Sequence, residues 1–230
     1  GFAFNVDLVK ARLPDADLTN LDTIFKPENA AKLADCGLSL HDSPRDLIPI
    51  LLKYLGLDPD TTDVSQYDKA AALVAPMREY VRAFDNENYL NGLPNGEVCA
   101  VMAWSGDYAV AKARAESAGL NLNLAYAVPK TGAPLWFDVM AVPVDAPNKA
   151  NAHAFLNYLM KPEVIAKCTN FIGYANANKA ATALVDPSIS GDPAVYPDAA
   201  TKERLFTLAP MTPEQEEALT RTWTEIKTGG

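Results

Sequence analysis

The apolar stretch Val98-Cys99-Ala100-Val101-Met102-Ala103-Trp104 decides the fold, because such a run is typical of a strand buried on both faces of a sheet. A helix is predicted directly after it, over residues 107–118, with Asp107 at the place of an N-terminal cap. Alternating residues at 122–128 predict another strand. Strand, helix and strand in this order indicate an α/β fold with parallel strands connected by helices.

Helices and strands alternate through the rest of the chain as well, and no internal repeat interrupts them. Proline or serine starts, glycine stops and apolar spacing define the remaining elements. The sequence predicts helices over 26–36, 44–55, 65–84, 148–160, 161–171 and 213–227, a helical turn over 88–93, and strands over 38–40 and 136–142.

The composition is that of a globular protein with an acidic surface. The chain has 230 residues, of which 49% are hydrophobic and 21% charged, and its formal net charge is −9. Nucleic-acid binding, which needs a basic surface, is therefore not expected, whereas a cationic partner suits this charge. No apolar stretch is long enough to span a bilayer. The start Gly1-Phe2-Ala3-Phe4 lacks both Met and a signal-peptide pattern, so we expect either a removed leader or a fragment.

The cysteines and histidines predict no metal or cofactor site. Cys36, Cys99 and Cys168 match no metal or redox spacing, and His41 and His153 are far apart and expected at the surface. The cysteine spacing leaves two alternatives open. Either one disulfide and one free thiol occur in an oxidising compartment, or all three cysteines are free and buried.

Two units of an indole next to an acid are the most pointed chemical feature. Trp104 precedes Asp107 at the end of the buried strand, and Trp136 precedes Asp138 further on. Ligands of open α/β sheets bind at the carboxyl ends of strands, and an aromatic face beside a carboxylate attracts an ammonium group. Alternatively, both indoles belong to the core and both acids cap helices.

Enzyme motifs are absent from the sequence. It contains no GxSxG elbow and no glycine-rich phosphate loop, and neither histidine has a catalytic partner nearby. Asp107 and Asp138 as a glycosidase pair would need a raised pKa that nothing in the sequence indicates. A binding protein is therefore predicted rather than an enzyme.

Several segments along nearly the whole chain resemble the periplasmic polyamine-binding proteins, the putrescine and spermidine receptors of ABC transporters. The most specific are the tryptophan–aspartate and tyrosine–asparagine motifs. The segments are Phe4-Asn5-Val6-Asp7, Lys26-Pro27-Glu28-Asn29, Asn95-Gly96-Glu97-Val98-Cys99, Trp104-Ser105-Gly106-Asp107, Trp136-Phe137-Asp138-Val139, Phe155-Leu156-Asn157-Tyr158-Leu159, Tyr174-Ala175-Asn176-Ala177-Asn178-Lys179-Ala180 and Leu205-Phe206-Thr207-Leu208.

This resemblance implies a two-lobed receptor of the type II periplasmic-binding-protein fold, which closes on a linear polyamine. Asp107 and Asp138 would hold ammonium groups, Trp104 and Trp136 would enclose the methylene chain, and Tyr174 would line the cleft.

Two weaker members of the site follow from the same resemblance. Asp46 stands where the family carries a glutamate that meets the distal amine, and a bridging water would compensate for its shorter side chain. Asn86 stands where some relatives have a serine, and Ser43 is a marginal candidate in the same loop as Asp46. Trp136 stands where spermidine receptors tend to have Trp and putrescine receptors Phe, so spermidine is expected to be favoured over putrescine.

The family also implies a disulfide between Cys36 and Cys99 and a periplasmic location. Cys168 departs from the family's pattern and is expected to be a buried free thiol on its helix. Members carry most of their first lobe ahead of the segment that resembles the start of this chain. Residues 1–134 and 175–230 are therefore expected to form the second lobe, and 135–174 to be a strand and helix of the first.

The predicted helix 148–160 would then expose its apolar face, formed by Ala152, Phe155, Leu156 and Leu159. The chain is expected to dimerise or swap segments, or else the rest of the first lobe is a separate or disordered piece. The predicted partners are a polyamine and an ABC-transporter permease. A polyamine sensor or interaction protein with the same fold and no role in transport is the alternative.

Overall fold

A single five-stranded sheet organises the chain, of which the computed structural model describes residues 1–229. The strands are β1 (Phe2–Asn5), β2 (Leu38–Leu40), β3 (Val81–Phe84), β4 (Ala100–Met102) and β5 (Leu124–Ala127). Their order across the sheet is β3-β2-β4-β1-β5. The α/β class predicted from the sequence is thus present.

The sheet is mixed rather than parallel throughout. β2 pairs in parallel with both β3 and β4, as predicted, but β1 lies between β4 and β5 and is antiparallel to both. Phe2 is opposite Met102 on one side and Ala127 on the other. The expectation of parallel strands alone was wrong because β1, which the sequence did not predict, inserts between β4 and β5 in the antiparallel direction.

Helices surround the sheet, and most predicted helices are present within a few residues of their expected bounds. The 3-10 segments are Ala75–Tyr80 and Lys179–Leu184. The α-helices are α1 (Val6–Arg12), α2 (Asp22–Phe25), α3 (Pro27–Leu33), α4 (Pro44–Tyr54), α5 (Ser65–Val74), α6 (Tyr89–Gly92), α7 (Ser105–Ser117), α8 (Lys149–Leu159), α9 (Pro162–Ile172), α10 (Pro187–Ser190), α11 (Ala199–Lys202) and α12 (Pro213–Thr228).

Two predicted elements were wrong. The helix expected over 65–84 ends at Val74, since Pro76 cannot donate a main-chain hydrogen bond, and the chain continues as a 3-10 segment and then as β3. The strand expected over 136–142 does not form; only an isolated bridge between Pro134 and Phe206 occurs nearby. A strand needs neighbours for its main-chain groups, and residues 136–142 have none among the described residues.

The main core lies between the sheet and helices α3, α4, α5 and α12. Phe2, Phe4 and Phe25 are almost fully buried there, together with the apolar face of α4 from Leu47 to Leu52. The predicted disulfide joins Cys36, after α3, to Cys99, just before β4, with 5.5 Å between their Cα atoms. Cys168 is a free, half-buried thiol on α9.

The segment 135–174 contributes little to this core. No residue of α8 is buried, and Val144 and Phe171 each expose 89% of their surface. Instead, α9 packs with the 3-10 segment Lys179–Leu184 in a small separate cluster around Ala166, Ala181 and Val185. The assignment of 135–174 to another lobe remains a prediction.

Exposed apolar side chains on this segment are expected to drive association of the chain. Size-exclusion chromatography with light scattering should show a mass that rises above 24.8 kDa with concentration. Replacing both Phe155 and Phe171 with Glu should restore a monomer, because it places charges on two of the most exposed rings. Leu120→Glu, at an exposed leucine three residues after the end of α7, is the control. A monodisperse monomer at every concentration would contradict this expectation.

Candidate functional site

The candidate site lies where three parallel strands end at one edge of the sheet. Trp104 follows β4, Asp42 follows β2 and Asn86 follows β3. Since these strands run in the same direction, the residues after them meet at the same edge. An open cleft with a volume of about 980 Å³ lies there.

All seven side chains predicted for the ligand site line this one cleft. They come from separate parts of the sequence, and no sequence spacing alone brings them together. Ser43, the marginal candidate, is not in the lining. The seven are Asp46, Asn86, Trp104, Asp107, Trp136, Asp138 and Tyr174, and the cleft is also lined by Glu87, Asn88, Leu90, Asn91 and Arg114.

Asp107 is the best-anchored acid of the cleft. α7 begins at Ser105, so Asp107 lies in the first turn of the helix instead of capping it. Its Oδ2 accepts a hydrogen bond of 2.6 Å from the Tyr89 hydroxyl, and its Oδ1 accepts one of 2.7 Å from the Tyr174 hydroxyl. An ionised carboxylate has about four acceptor positions, so two remain for a ligand.

The two tyrosines are held in their neutral, donating state. Burial, and then the hydrogen bond to Asp107, raises the pKa of Tyr89 well above its usual value. The same two causes, in the same order, raise the pKa of Tyr174. Both hydroxyls therefore remain hydrogen-bond donors to the Asp107 carboxylate and add no negative charge of their own.

The position of the Tyr174 ring requires a glycine at residue 106. A Cβ at position 106 would lie 2.1 Å from the Tyr174 ring, so only glycine leaves room for it. Trp136 is next to Tyr174, with 6.1 Å between the ring centroids and 55° between the planes. One wall of the cleft is thus aromatic.

Asp46, Asn86 and Asp138 line the cleft in three different ways. Asp46 lies in the first turn of α4 and is half-buried. Asp138 is exposed, in the irregular segment that follows the sheet. The Asn86 amide makes hydrogen bonds with the main chain of Asp42.

The cleft is strongly anionic. Four carboxylates line it, those of Asp46, Glu87, Asp107 and Asp138, against the single guanidinium of Arg114. Arg114 donates a hydrogen bond of 2.6 Å to Asn91 Oδ1. Within residues 1–229, no group of three acids, cysteines or histidines is arranged to hold a metal ion. The lining suits organic cations, which carboxylates bind by charge and aromatic faces by their quadrupole.

Comparison with known proteins identifies the family. The sequence model described as bacterial extracellular solute-binding protein matches residues 1–197. This chain belongs to that family. The prediction of a binding protein rather than an enzyme is thereby confirmed.

The chain is 42% identical to the putrescine-binding periplasmic protein PotF of Escherichia coli (strain K12) over 231 residues. It is 41% identical to the putrescine-binding periplasmic protein SpuD of Pseudomonas aeruginosa (strain UCBPP-PA14) over 230 residues. Both matches cover 100% of this chain but only 62% and 63% of the relatives. This solute-binding chain therefore spans less than two thirds of their length.

Solved structures share the fold. The spermidine/putrescine ABC transporter substrate-binding protein PotD from Streptococcus pneumoniae superposes with a TM-score of 0.82 at 22% identity, over 100% of this chain and 66% of that one. The TpPotD lipoprotein of Treponema pallidum gives a TM-score of 0.77 at 21% identity, over 99% and 66%. The predicted periplasmic-binding-protein fold of type II is confirmed, with its lobes only partly represented.

His41 is a feature of this solute-binding chain that sequence reasoning assigned wrongly. It was expected at the surface but is only 1% exposed, directly after β2, because its ring packs between two aromatic residues. The ring centroids are 4.2 Å from Trp104 and 5.8 Å from Tyr89. His41 thus supports the indole that lines the cleft.

Tyr89 was also missed by sequence reasoning. It lies on the short helix α6 and is 2% exposed, so only its hydroxyl serves the cleft. Its signal in the sequence was weak, since a tyrosine in a helical turn is usually a packing residue. The nearby acids Asp85, Glu87 and Asp107 suggested no particular partner.

Burial makes the stability of this chain depend on pH through His41. Burial lowers the pKa of His41 to about 3, against roughly 6.5 in an unfolded chain. Between these values only the unfolded state binds the proton, so the free energy of unfolding falls as the pH falls, by on the order of 2 kcal/mol at about pH 4.5.

The variant His41→Phe should flatten this dependence, as measured by thermal or urea unfolding between neutral pH and pH 4.5. The control is His153→Phe, on the exposed surface of α8, which should leave it unchanged. Equal pH dependence of the wild type and His41→Phe would show that His41 is not held neutral.

Proposed function

We propose that this chain binds a polyamine as part of a periplasmic receptor that delivers its ligand to an ABC-transporter permease. The observation that carries the proposal is an open cleft lined by four carboxylates and two indoles with a single opposing guanidinium. The names of the relatives support the ligand class, since they bind putrescine or spermidine and putrescine.

In the proposed complex, Asp107 receives one ammonium group. Tyr89 and Tyr174 fix both oxygens of its carboxylate and leave acceptor positions for N–H donors of the ligand. Asp138 and Asp46 receive further ammonium groups. A buried ammonium without an acid or an aromatic face would be very costly, so the number of amines met by acids sets selectivity.

Trp104 and Trp136 cover the methylene chain between the amines. The ring of His41 packs against the indole of Trp104. Trp136 is 42% exposed, which leaves part of its indole surface free for a ligand. Indole faces remove methylene groups from water and also attract the neighbouring ammonium groups, by roughly 0.5–2 kcal/mol each.

Location and organisation are proposed on the same basis. The relatives are named periplasmic proteins, and a disulfide suits an oxidising compartment. Within residues 1–229, no helix combines the length and hydrophobicity needed to cross a membrane. Residues 1–134 and 175–230 are proposed as one lobe and residues 135–174 as part of another, which supplies Trp136, Asp138 and Tyr174.

Titration calorimetry at low ionic strength tests the ligand class. Putrescine and spermidine should bind. Butane-1,4-diol, which has two uncharged hydroxyl groups at the spacing of the two amines of putrescine, should not. Asp107→Asn should weaken binding of both amines by about 10-fold to 100-fold, since a hydrogen bond to a charged group contributes about 1.5–3 kcal/mol. Asp15→Asn, an exposed acid outside the cleft, is the matched control. Binding of the diol as tight as that of putrescine would refute the proposal.

The finer proposal is a preference for spermidine over putrescine, which rests on Trp136. The two relatives quoted above are named for putrescine alone. Their names therefore support putrescine as a ligand at least as strongly as spermidine.

Trp136→Phe should lower the ratio of spermidine to putrescine affinity by about twofold to tenfold, because a smaller ring covers less of the longer chain. The control is Phe137→Leu, an exposed neighbour outside the cleft lining. A wild-type protein that prefers putrescine, or an unchanged ratio in Trp136→Phe, would contradict the spermidine preference while leaving polyamine binding intact.

A further inference from the structure

The side chain of Asn86 continues the β2–β3 ladder beyond the ends of the two strands. Leu40 pairs with Phe84 at the end of the ladder, and the Asp85 main-chain N–H donates to the Leu40 carbonyl at 2.9 Å. One step further, Asn86 Oδ1 accepts from the Asp42 N–H at 3.0 Å, and Asn86 Nδ2 donates to the Asp42 carbonyl at 3.1 Å. A side-chain amide thus replaces the main chain of a paired strand.

This double contact engages both ends of the Asn86 amide. One of its two N–H donors and one lone pair of its oxygen are directed at Asp42. With the amide turned over, N–H would face N–H and oxygen would face oxygen, so only this orientation fits. The amide is therefore fixed on the protein rather than free to follow a ligand.

Asp42 lies two residues before the start of α4. Ser43 follows in an extended conformation as the cap residue, and its carbonyl accepts from the N–H groups of Asp46 at 3.2 Å and Leu47 at 3.0 Å. Asp46 lies in this first turn and lines the cleft. A shift of Asp42 would move the turn and the Asp46 carboxylate with it.

The other side of Asp42 is held by α12. Its Oδ1 accepts from Trp223 Nε1 at 3.2 Å, and both of its oxygens lie 2.9 Å from Lys227 Nζ. The carboxylate of Asp42 is thus held from outside the cleft, whereas its main chain is held by Asn86 from within it. The contacts with Asn86 and with α12 together hold Asp42 in place.

We infer that Asn86 is a positioning residue, which holds the main chain of Asp42 and so places the Asp46 carboxylate in the cleft for a ligand ammonium group. The inference rests on the proposed function, because it assigns a ligand contact to Asp46. It differs from the expectation that Asn86 itself contacts the polyamine.

Hydrogen exchange without ligand tests the first half of this inference. Asn86→Ala should increase the exchange of the amides of Asp42, Ser43 and Arg45–Leu47, because the main chain of Asp42 loses its hydrogen bonds to residue 86, and leave the amides of the central strand β4 unchanged. Asn86→Asp keeps the acceptor for the Asp42 N–H but loses the donor, and should give a smaller increase. Asn95→Ala, an exposed asparagine outside the cleft, is the control. Unchanged exchange in Asn86→Ala would overturn the inference.

A double-mutant cycle with putrescine and spermidine, read by calorimetry, tests the second half. Asn86→Ala should weaken binding by about fivefold to tenfold when Asp46 is present and by less than about twofold in the Asp46→Asn background, since residues that act through one another are not additive. Asn86→Asp should also weaken binding, although it adds a negative charge near a cation.

Two binding results would contradict the positioning role of Asn86. Equal losses in both backgrounds, or tighter binding in Asn86→Asp, would show direct contact between residue 86 and the ligand and overturn the inference. If no polyamine binds the wild type, the proposed function fails, and the assignment of Asp46 as a ligand contact is overturned with it. Hydrogen exchange then still reports whether Asn86 holds the main chain of Asp42.

Discussion

The hydrogen bonds from Tyr89 and Tyr174 to Asp107 connect three distant parts of the chain at the edge of the sheet. Asp107 is carried by the helix after β4, Tyr89 by a short helix after β3, and Tyr174 by the segment after α9. Charge explains why these contacts matter, since a carboxylate withdrawn from water needs donors. The two hydroxyls satisfy part of that need, and the remaining acceptor positions make the cleft receptive to a cation.

The direction of the strands explains why the other polar residues gather around this point. β2, β3 and β4 run in parallel, so His41, Asn86 and Trp104 follow them to the same edge. Each has a separate task there. His41 supports an indole, Asn86 holds a loop, and Trp104 lines the cleft. The contacts of His41 and Asn86 thus hold neighbouring residues at this edge, which limits how far the lining can move.

Local patterns predicted much of this arrangement, and long-range pairing accounts for what they missed. Helices such as α4 and α12 carry their own start signals and apolar spacing, so their positions were readable from the sequence. β1 was not, because its four residues are stable as a strand only between two partners that lie far along the chain. The supposed strand over 136–142 shows the converse, an apolar run without a partner.

The candidate site divides in the same way. The indoles and acids were identified from their motifs and from a family resemblance, but the partners that hold them were not. Tyr89 and the double contact between Asn86 and Asp42 depend on packing across the sheet edge, which leaves no mark in the local sequence. His41 was placed at the surface because no catalytic or metal-binding partner lies near it in the sequence, and only the surrounding rings explain its burial.

The position of β1 between β4 and β5 has a consequence for folding. Phe2 pairs with Met102 and Ala127, which both lie far along the chain. Until these partners are in place, the main-chain groups and the phenylalanines of β1 have no partners, and contacts of such long sequence separation form slowly. A partly folded chain in this condition exposes an unpaired apolar strand edge, which is a known route to aggregation. Productive folding therefore requires that β4 and β5 enclose β1 before its exposed edge pairs with another chain.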